Sequence, residues 1–393
     1  VVALMLEANP DLGYRDVQKI LAYSAWHPSS EQWKANGATD WNFGGLRFNS
    51  DLGYGVVDAH AAVRLAETWV GQRTAFNEAF AGDRVLNLRT PVPDNDENGL
   101  VTTLTIDSHI LMEHAKLTLD LAHTRWGDVV VELVSPDGTV STLLDRPTAT
   151  EARPFGLYGE YSGLPNRLYF DLGSVQFMGE DAYGDWQLVV KDVVSGNDSG
   201  MLRGASLTVY GESQTDDDLY ILTDEFTVSG TEFVLRDESG TDWINASPLT
   251  SGAVINLSDG VIDIGERSVE IASWSVIENV ATGDGDDVIT GSDVDNILLA
   301  GRGNDVLYGS SGSDTIDGGQ GSDVLVYAGA ASGYTLGAWS PADKSFTVSY
   351  GSNVDTVSNI ETLRFDDLEM SLSDSLGNSA PSVNVAIVEA PVE

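Results

Sequence analysis

Residues 282–326 read TGDGDDVIT, GSDVDNILL, AGRGNDVLY, GSSGSDTID and GGQGSDVLV, one nine-residue pattern repeated five times without a gap. Its sixth position is Asp287, Asn296, Asp305, Asp314 and Asp323, and its eighth is Ile289, Leu298, Leu307, Ile316 and Leu325. A flexible Gly/Asp-rich linker would not keep an aliphatic residue at every ninth place. A period this strict specifies stacked units, each burying its apolar side against its neighbours.

The chemistry of one unit predicts its shape. Val306, Leu307 and Tyr308 are apolar and β-favouring, so each unit makes one very short strand. Glycine at the second and fourth positions (Gly283 and Gly285, Gly301 and Gly303, Gly319 and Gly321) permits the positive φ of a tight turn. If two units close one coil, alternate units stack along each edge and the eighth-position side chains fill a thin core. One Asp per turn then crowds carboxylates along both edges. A hard cation liganded by oxygen relieves that repulsion, and calcium accepts about six to eight such ligands in a flexible geometry.

The units match GGxGxDxUx and so resemble the calcium-binding RTX repeats, whose fold is a parallel β-roll. The resemblance implies an ion between turns two units apart, pairing Asp287 with Asp305, Asp305 with Asp323, and Asn296 with Asp314. With the six turn glycines, these are the expected calcium residues. The second unit departs from the pattern, because Ser292 and Val294 stand where most units have glycine. Positive φ is a genuine outlier for a β-branched residue. That turn is expected to be altered and its site weak.

The 393 residues allow two or three domains, and the formal charge of −41 sets 61 acidic against 20 basic residues. That balance excludes nucleic acid and anionic membranes as partners. Cysteine is absent, so metal rather than disulfides is expected to stabilise what reads as a bacterial exoprotein. No run of about eighteen apolar residues offers a membrane span. The chain opens inside an apolar helical pattern, VVALMLEANP, without Met or signal peptide, and is expected to be part of a longer protein.

Residues 1–8 are apolar on nearly every face and predict a buried helix ending at Asn9-Pro10. A second helix spans 14–25, with Val17, Ile20, Leu21 and Ser24 on one face, and Gly13 as a weak cap. A third runs to Trp69 with Ala59, Ala62, Val63 and Ala66 inward. ALMLEANPDLGYRDVQKIL, LGYGVVDAHAAV and LAETW resemble the end of the catalytic domain in subtilisin-like proteases of the kexin and proprotein convertase branch. By that resemblance 1–72 is an incomplete α/β segment without catalytic residues, since the serine motif GTSxxxP, the aspartate, the histidine and the oxyanion-hole asparagine lie upstream. Asp58 and His60, two apart at a helix start, read as a cap and a surface histidine rather than a catalytic pair. No HExxH occurs, so no zinc protease is concealed.

From Ala75 the pattern alternates: Leu117, Leu119 and Leu121, then Trp186, Leu188 and Val190, then Leu207 and Val209, with turns such as Ser135-Pro136-Asp137-Gly138 between the runs. This predicts a β-sandwich over 75–213. HTRWGDVVVELVSPDGT, YGDWQLVVKDV and GMLRGASLTVYG resemble the P (Homo B) domain of convertases, a jelly-roll sandwich that stabilises the protease. Ala205 departs from the tryptophan usual there. Asp128, Asp181 and Asp192 read as turn carboxylates, with a further calcium site as the alternative. Trp126 and Trp186 are placed for the core.

After an acidic linker at 214–218, residues 219–373 read as the β-roll with β-rich flanks. In LRDESGTDWINAS, Gly240, Asp242 and Ile244 reproduce the fourth, sixth and eighth repeat positions, so Asp242 is either a calcium ligand at an isolated turn or a plain turn residue. The stretch from SGYTLGAWS to NIETLRFDD reads as strands capping the roll, and 374–393 as a linker to a further module. The resulting expectation is the non-catalytic C-terminal portion of a secreted, calcium-dependent subtilisin-like serine endopeptidase. Its partners are calcium, a catalytic domain in cis and the parent's peptide substrates. The alternative is a calcium-stabilised adhesion module on a degenerate protease scaffold.

Overall fold

The structure, a computed structural model, describes residues 1–147, 167–196, 199–228, 233–237, 239–340, 345–373 and 382–387. It is built mainly from β-sheets, with few helices. The helices are α1 (Val2–Ala8), α2 (Tyr14–Tyr23) and α3 (Ala59–Glu67).

The helical segment differs from its sequence pattern in an instructive way. Only Met5 of α1 is buried, while Val2, Leu4 and Leu6 are exposed, so the helix lays one residue rather than a whole surface on the rest of the chain. In α2, Ile20 and Ser24 are buried as the pattern predicts, but Arg15, Asp16 and Lys19 are buried too. Arg15 and Lys19 meet Glu113 and Glu212 of a neighbouring sheet, and Asp16 meets Arg73 from the segment after α3. In α3, Ala62, Leu65 and Ala66 face inward and Ala59 is exposed, because the helix starts at Ala59 with Asp58 as its cap. The Asp58 carboxylate accepts from the His60 and Ala61 amides, at 2.9 and 3.0 Å, which answers two of the unpaired N–H groups of a helix start.

Two antiparallel sheets follow. One orders Leu100–Ile106, Gly184–Asp192, Val129–Val134 and Val140–Asp145; the other orders Ala79–Val85, Gly200–Ser213, Ile110–His123 and Arg167–Ser174. Their alternating apolar residues join in one core that contains Leu117, Leu119, Leu121, Leu188, Leu207, Trp126 and Trp186. Ala205 is buried within it, opposite Leu119. One irregularity has a consequence for docking. Tyr210 pairs with His114 and Gly211 with Met112, so Glu113 is an extra, bulged residue. The alternation slips there, and Glu113 turns inward to meet Arg15.

The repeats form the predicted stack. Val288, Val306 and Val324 pair in parallel along one sheet, while Ile297 pairs with Thr315 in the other. The five eighth-position aliphatics are fully buried in a shared core. The stack runs past the repeats at both ends. Trp243–Asn245 and Asn279–Ala281 precede it on one sheet, with Asn353–Ser358 following; Thr362–Arg364 follows on the other. Antiparallel hairpins, Ser345–Tyr350 with Asn353–Ser358 and Thr362–Arg364 with Leu368–Ser373, cover the far end. Within the expected linker, Ser382–Ile387 is instead a strand paired with Leu368–Ser373, as the alternation SVNVAI favours; the rest of 374–393 lies outside the described residues.

Candidate metal centre

Each short strand is preceded by a sixth-position side chain, and the stacking brings these side chains into register. Along one edge the Ala253 amide donates to Asp287 Oδ1, Asp287 to Asp305 Oδ1, Asp305 to Asp323 Oδ1, and Asp323 to Glu361 Oε2, at 2.7, 2.8, 2.9 and 2.7 Å. One oxygen of every carboxylate is thereby fixed by the backbone of the adjacent coil. The other oxygen, Oδ2 of Asp287, Asp305 and Asp323, is buried and has no hydrogen-bond partner among the described residues. Three stacked anions with an unanswered oxygen apiece would each be costly to bury alone. Burial raises Asp287 to about 6 and Asp305 and Asp323 to about 7; neighbouring carboxylates add to this and the backbone hydrogen bonds oppose it. An all-oxygen donor set of buried carboxylates fits a hard divalent cation.

Glycine serves these turns in two ways. Gly301, Gly303, Gly319 and Gly321 have φ of 84°, 138°, 85° and 156°. A side chain at Gly321 would sit 1.5 Å from the Gly303 carbonyl oxygen, so only glycine lets successive turns nest. Gly283 and Gly285 do not have positive φ, contrary to the sequence expectation. The first turn lies over residues 247–252, which are no repeat turn, and there glycine answers close approach alone: a Cβ on Gly285 would meet the Gly252 nitrogen at 2.0 Å.

The opposite edge has the same ladder with different chemistry. Asn296 donates its amide to Asp314 Oδ1 and Asp314 donates to Asp355 Oδ1, at 2.9 and 3.0 Å. Here the second oxygens of Asp314 and Asp355 are answered. Ser310 Oγ donates to Asp314 Oδ2 at 3.3 Å, and Tyr327 Oη donates to Asp355 Oδ2 at 2.7 Å. The Asn296 side chain closes its own turn, accepting from the Ser292 amide and donating to Ser292 Oγ and the Glu278 carbonyl. Val294 avoids positive φ, so the second turn is altered, as expected. Asp242 belongs to this edge. Its amide donates to Glu278 Oε2 at 2.7 Å, its Oδ1 accepts from the Asp218 amide at 2.6 Å, and its Oδ2 is buried without a partner. Sequence reading missed Glu361, Asp355, Glu278 and Asp218 as members of the ladders. Asp218, Glu278 and Glu361 each stand just before a short strand, Leu219–Ile221, Asn279–Ala281 and Thr362–Arg364, and that is their signal; Asp355 lies within Asn353–Ser358 and has none.

Ion pairs tie the helical segment to both β-regions. Arg15 makes a two-pronged contact with Glu113, Nε to Oε2 and Nη2 to Oε1 at 2.7 Å each, and Nη2 also donates to the Gly211 carbonyl. Lys19 Nζ and Arg73 Nε both lie 2.6 Å from Glu212, and Arg73 also reaches Asp16. His60 Nε2 and Arg64 Nε each lie 2.7 Å from Asp284, in the first repeat turn. His60 is therefore paired with a repeat carboxylate and not with Asp58. Asp128, Asp181 and Asp192 face Arg125, His109 and His123 respectively, so each turn carboxylate has a cationic or imidazole neighbour.

Residues 112–209 match the proprotein convertase P-domain, and residues 290–325 match the RTX calcium-binding nonapeptide repeat in four copies. The chain thus carries a convertase-type P-domain followed by repeats of a calcium-binding family. Among curated relatives, it is 30% identical over 217 residues to furin of Mus musculus, covering 54% of this chain and 25% of furin. It is likewise 30% identical over 226 residues to neuroendocrine convertase 2 of Mus musculus, covering 54% of this chain and 32% of that protein. The chain spans between a quarter and a third of the length of these relatives. A solved structure of a serine protease of Aeromonas sobria with its chaperone aligns at 24% identity and a TM-score of 0.44, over 54% of this chain and 42% of that one. No helix among the described residues is long and apolar enough to cross a membrane.

Proposed function

We propose that this chain is the non-catalytic C-terminal portion of a secreted, calcium-dependent subtilisin-like serine endopeptidase. In this reading 1–72 completes a catalytic domain, 75–213 is the jelly-roll P domain that braces it, and 219–373 is a parallel β-roll that folds around calcium outside the cell. The column of buried, half-answered carboxylates at Asp287, Asp305 and Asp323 is the observation that carries the calcium role. Ions between successive coils would use these three residues and their turn glycines, and would turn mutual repulsion into attraction. The P-domain match and the convertase relatives support the protease assignment.

The bracing role rests on the Arg15 and Glu113 pair. A guanidinium held at both prongs against a bulged glutamate fixes the orientation of α2 on the sandwich. The exposed apolar face of α1 suits packing against a preceding protease core. Four of the five histidines are bonded to carboxylates, His27 to Glu225, His60 to Asp284, His109 to Asp181 and His123 to Asp192, and His114 stacks on Tyr210. Nucleophilic catalysis needs a hydroxyl or thiol within reach of the base, so the chemistry is assigned to the preceding domain. The experiment is a fluorogenic-peptide assay, with calcium, of this chain and of a longer chain that includes an upstream GTSxxxP. Turnover only by the longer chain is expected. Serine-inhibitor-sensitive turnover by the 393 residues alone would overturn the assignment. A longer chain lacking activity would favour the adhesion role.

A further inference from the structure

Outside the five repeats, a third acidic grouping stands where the two antiparallel sheets lead into the stack. One carboxylate oxygen from each of Asp218, Asp237 and Asp242 lies within 4.8 Å of the others. The residues come from three places. Asp218 ends the connection from the long strand Gly200–Ser213, Asp242 precedes Trp243–Asn245 on one sheet of the stack, and Asp237 follows Phe233–Leu235 on the other. Asp242 is fully buried, with Oδ1 taken by the Asp218 amide and Oδ2 without a hydrogen-bond partner. Asp237 is also buried, while Asp218 is exposed.

The local backbone has the form of the repeat turns that carry unanswered carboxylates. Gly240 has φ of 142°, beside 138° at Gly303 and 156° at Gly321. A Cβ on Gly240 would lie 2.0 Å from the Asp216 carbonyl oxygen and 2.8 Å from Asp242 Oδ1, as one on Gly303 would crowd Gly285 and Asp305. The acidic stretch is also pinned to this turn: Asp217 Oδ1 accepts from the Thr241 amide at 2.9 Å, and Asp216 Oδ2 from Ser239 Oγ at 3.3 Å. Asp237 stands at the first position of the frame that Gly240, Asp242 and Ile244 follow, where the five repeats have Thr282, Gly291, Ala300, Gly309 and Gly318, so a third carboxylate at that position is particular to this turn.

We infer that Asp218, Asp237 and Asp242 form a separate site for a hard divalent cation of calcium type, which clamps the connection leaving the sandwich to both sheets of the stack. The donors are all oxygen, which selects calcium-like ions over softer metals. Bound there, the ion fixes residues 214–221 and so sets where the stack begins relative to the preceding strand. The site stands independently of calcium at Asp287, Asp305 and Asp323.

The test uses the full chain with calcium alone as probe, combining equilibrium dialysis with hydrogen exchange of the peptides covering 214–221 and 282–326. Asp237→Asn is expected to bind one calcium fewer than wild type and to lose calcium-dependent protection at 214–221, with 282–326 still responding. Asp218→Asn, at an exposed position, gives the same result without a buried substitution. Unchanged stoichiometry in both variants, or no calcium response at 214–221 in wild type, would overturn the site and leave Asp237 and Asp242 sharing a proton. A response at 214–221 with none at 282–326 would sink the repeat assignment and leave this site standing.

Discussion

Asp305→Asn should change the stability of the stack in opposite directions with and without calcium. The substitution keeps an oxygen that can accept from the Asp287 amide but removes the charge of a fully buried carboxylate. Asp305 is flanked by aspartates on both sides, whereas the far neighbours of Asp287 and Asp323 are Ala253 and Glu361. With ion sites of about 10⁻⁴ M and calcium at about 10 mM, each occupied gap contributes about 2.7 kcal/mol. Losing both gaps next to Asp305 therefore costs about 5 kcal/mol. In EDTA the sign reverses. A carboxyl raised from 3.8 to about 7 costs the folded state at most about 4 kcal/mol at neutral pH. Subtracting about 1–3 kcal/mol for an amide N–H left unpaired gives a net gain of about 1–3 kcal/mol for the variant. Hydrogen exchange of the 282–326 peptides in the intact chain reads this region separately from the sandwich. Destabilisation of similar size in both conditions would refute the ion scheme and assign Asp305 a purely structural role.

Protons should replace calcium in part. In the calcium-free stack, burial holds Asp287 and Asp314 at about 6 and Asp305 and Asp323 at about 7. The folded form then binds more protons than the unfolded chain between about pH 4 and 7, and its stability falls as pH rises through that window. Exchange protection of 282–326 in EDTA, corrected for intrinsic rate, is expected to be higher at about pH 5 than at about pH 8; the reverse order would contradict the burial argument. Glu212 has the opposite sign. Although burial raises it, Lys19 and Arg73 together hold it below its usual range, so its contribution is lost as pH falls through its folded pKa. Glu113→Gln should destabilise the docking of the helical segment by up to about 3 kcal/mol, because it leaves buried Arg15 with Glu78, 3.9 Å away, in place of its two-pronged partner. Limited proteolysis between residues 1 and 72 checks this, and unaltered resistance would show that the pair does not hold the interface. Arg64→Ala should weaken the protection that calcium confers on α3, since Arg64 joins that helix to Asp284 of the first repeat turn. Equal protection in wild type and variant would show that the two regions are uncoupled.

The stack was the most legible part of the fold because its periodicity is one-dimensional. A fixed spacing of Ile289, Leu298, Leu307, Ile316 and Leu325 leaves little choice about what is buried. The alternation of Leu117, Leu119 and Leu121 marked the buried face of Ile110–His123 for the same reason. The less legible features depend on contacts between distant segments. No local pattern shows that Arg15, Asp16 and Lys19 are buried, because their partners Glu113, Arg73 and Glu212 are distant in sequence. The turn at Gly283 and Gly285 follows the repeat pattern in sequence, yet its conformation is set by residues 247–252 beneath it. The two edges have similar sixth-position residues, but Ser310 and Tyr327 answer the carboxylates of one edge alone.

A crystal structure of the chain grown with calcium tests the central claim most directly. The account predicts a cation against Oδ2 of Asp287, Asp305 and Asp323, with those oxygens at about 2.3–2.6 Å from the ion. It predicts weaker or no occupancy between Asn296 and Asp314. Oδ2 atoms that contact only water or protein, or ions confined to the Asn296 and Asp314 edge, would contradict it.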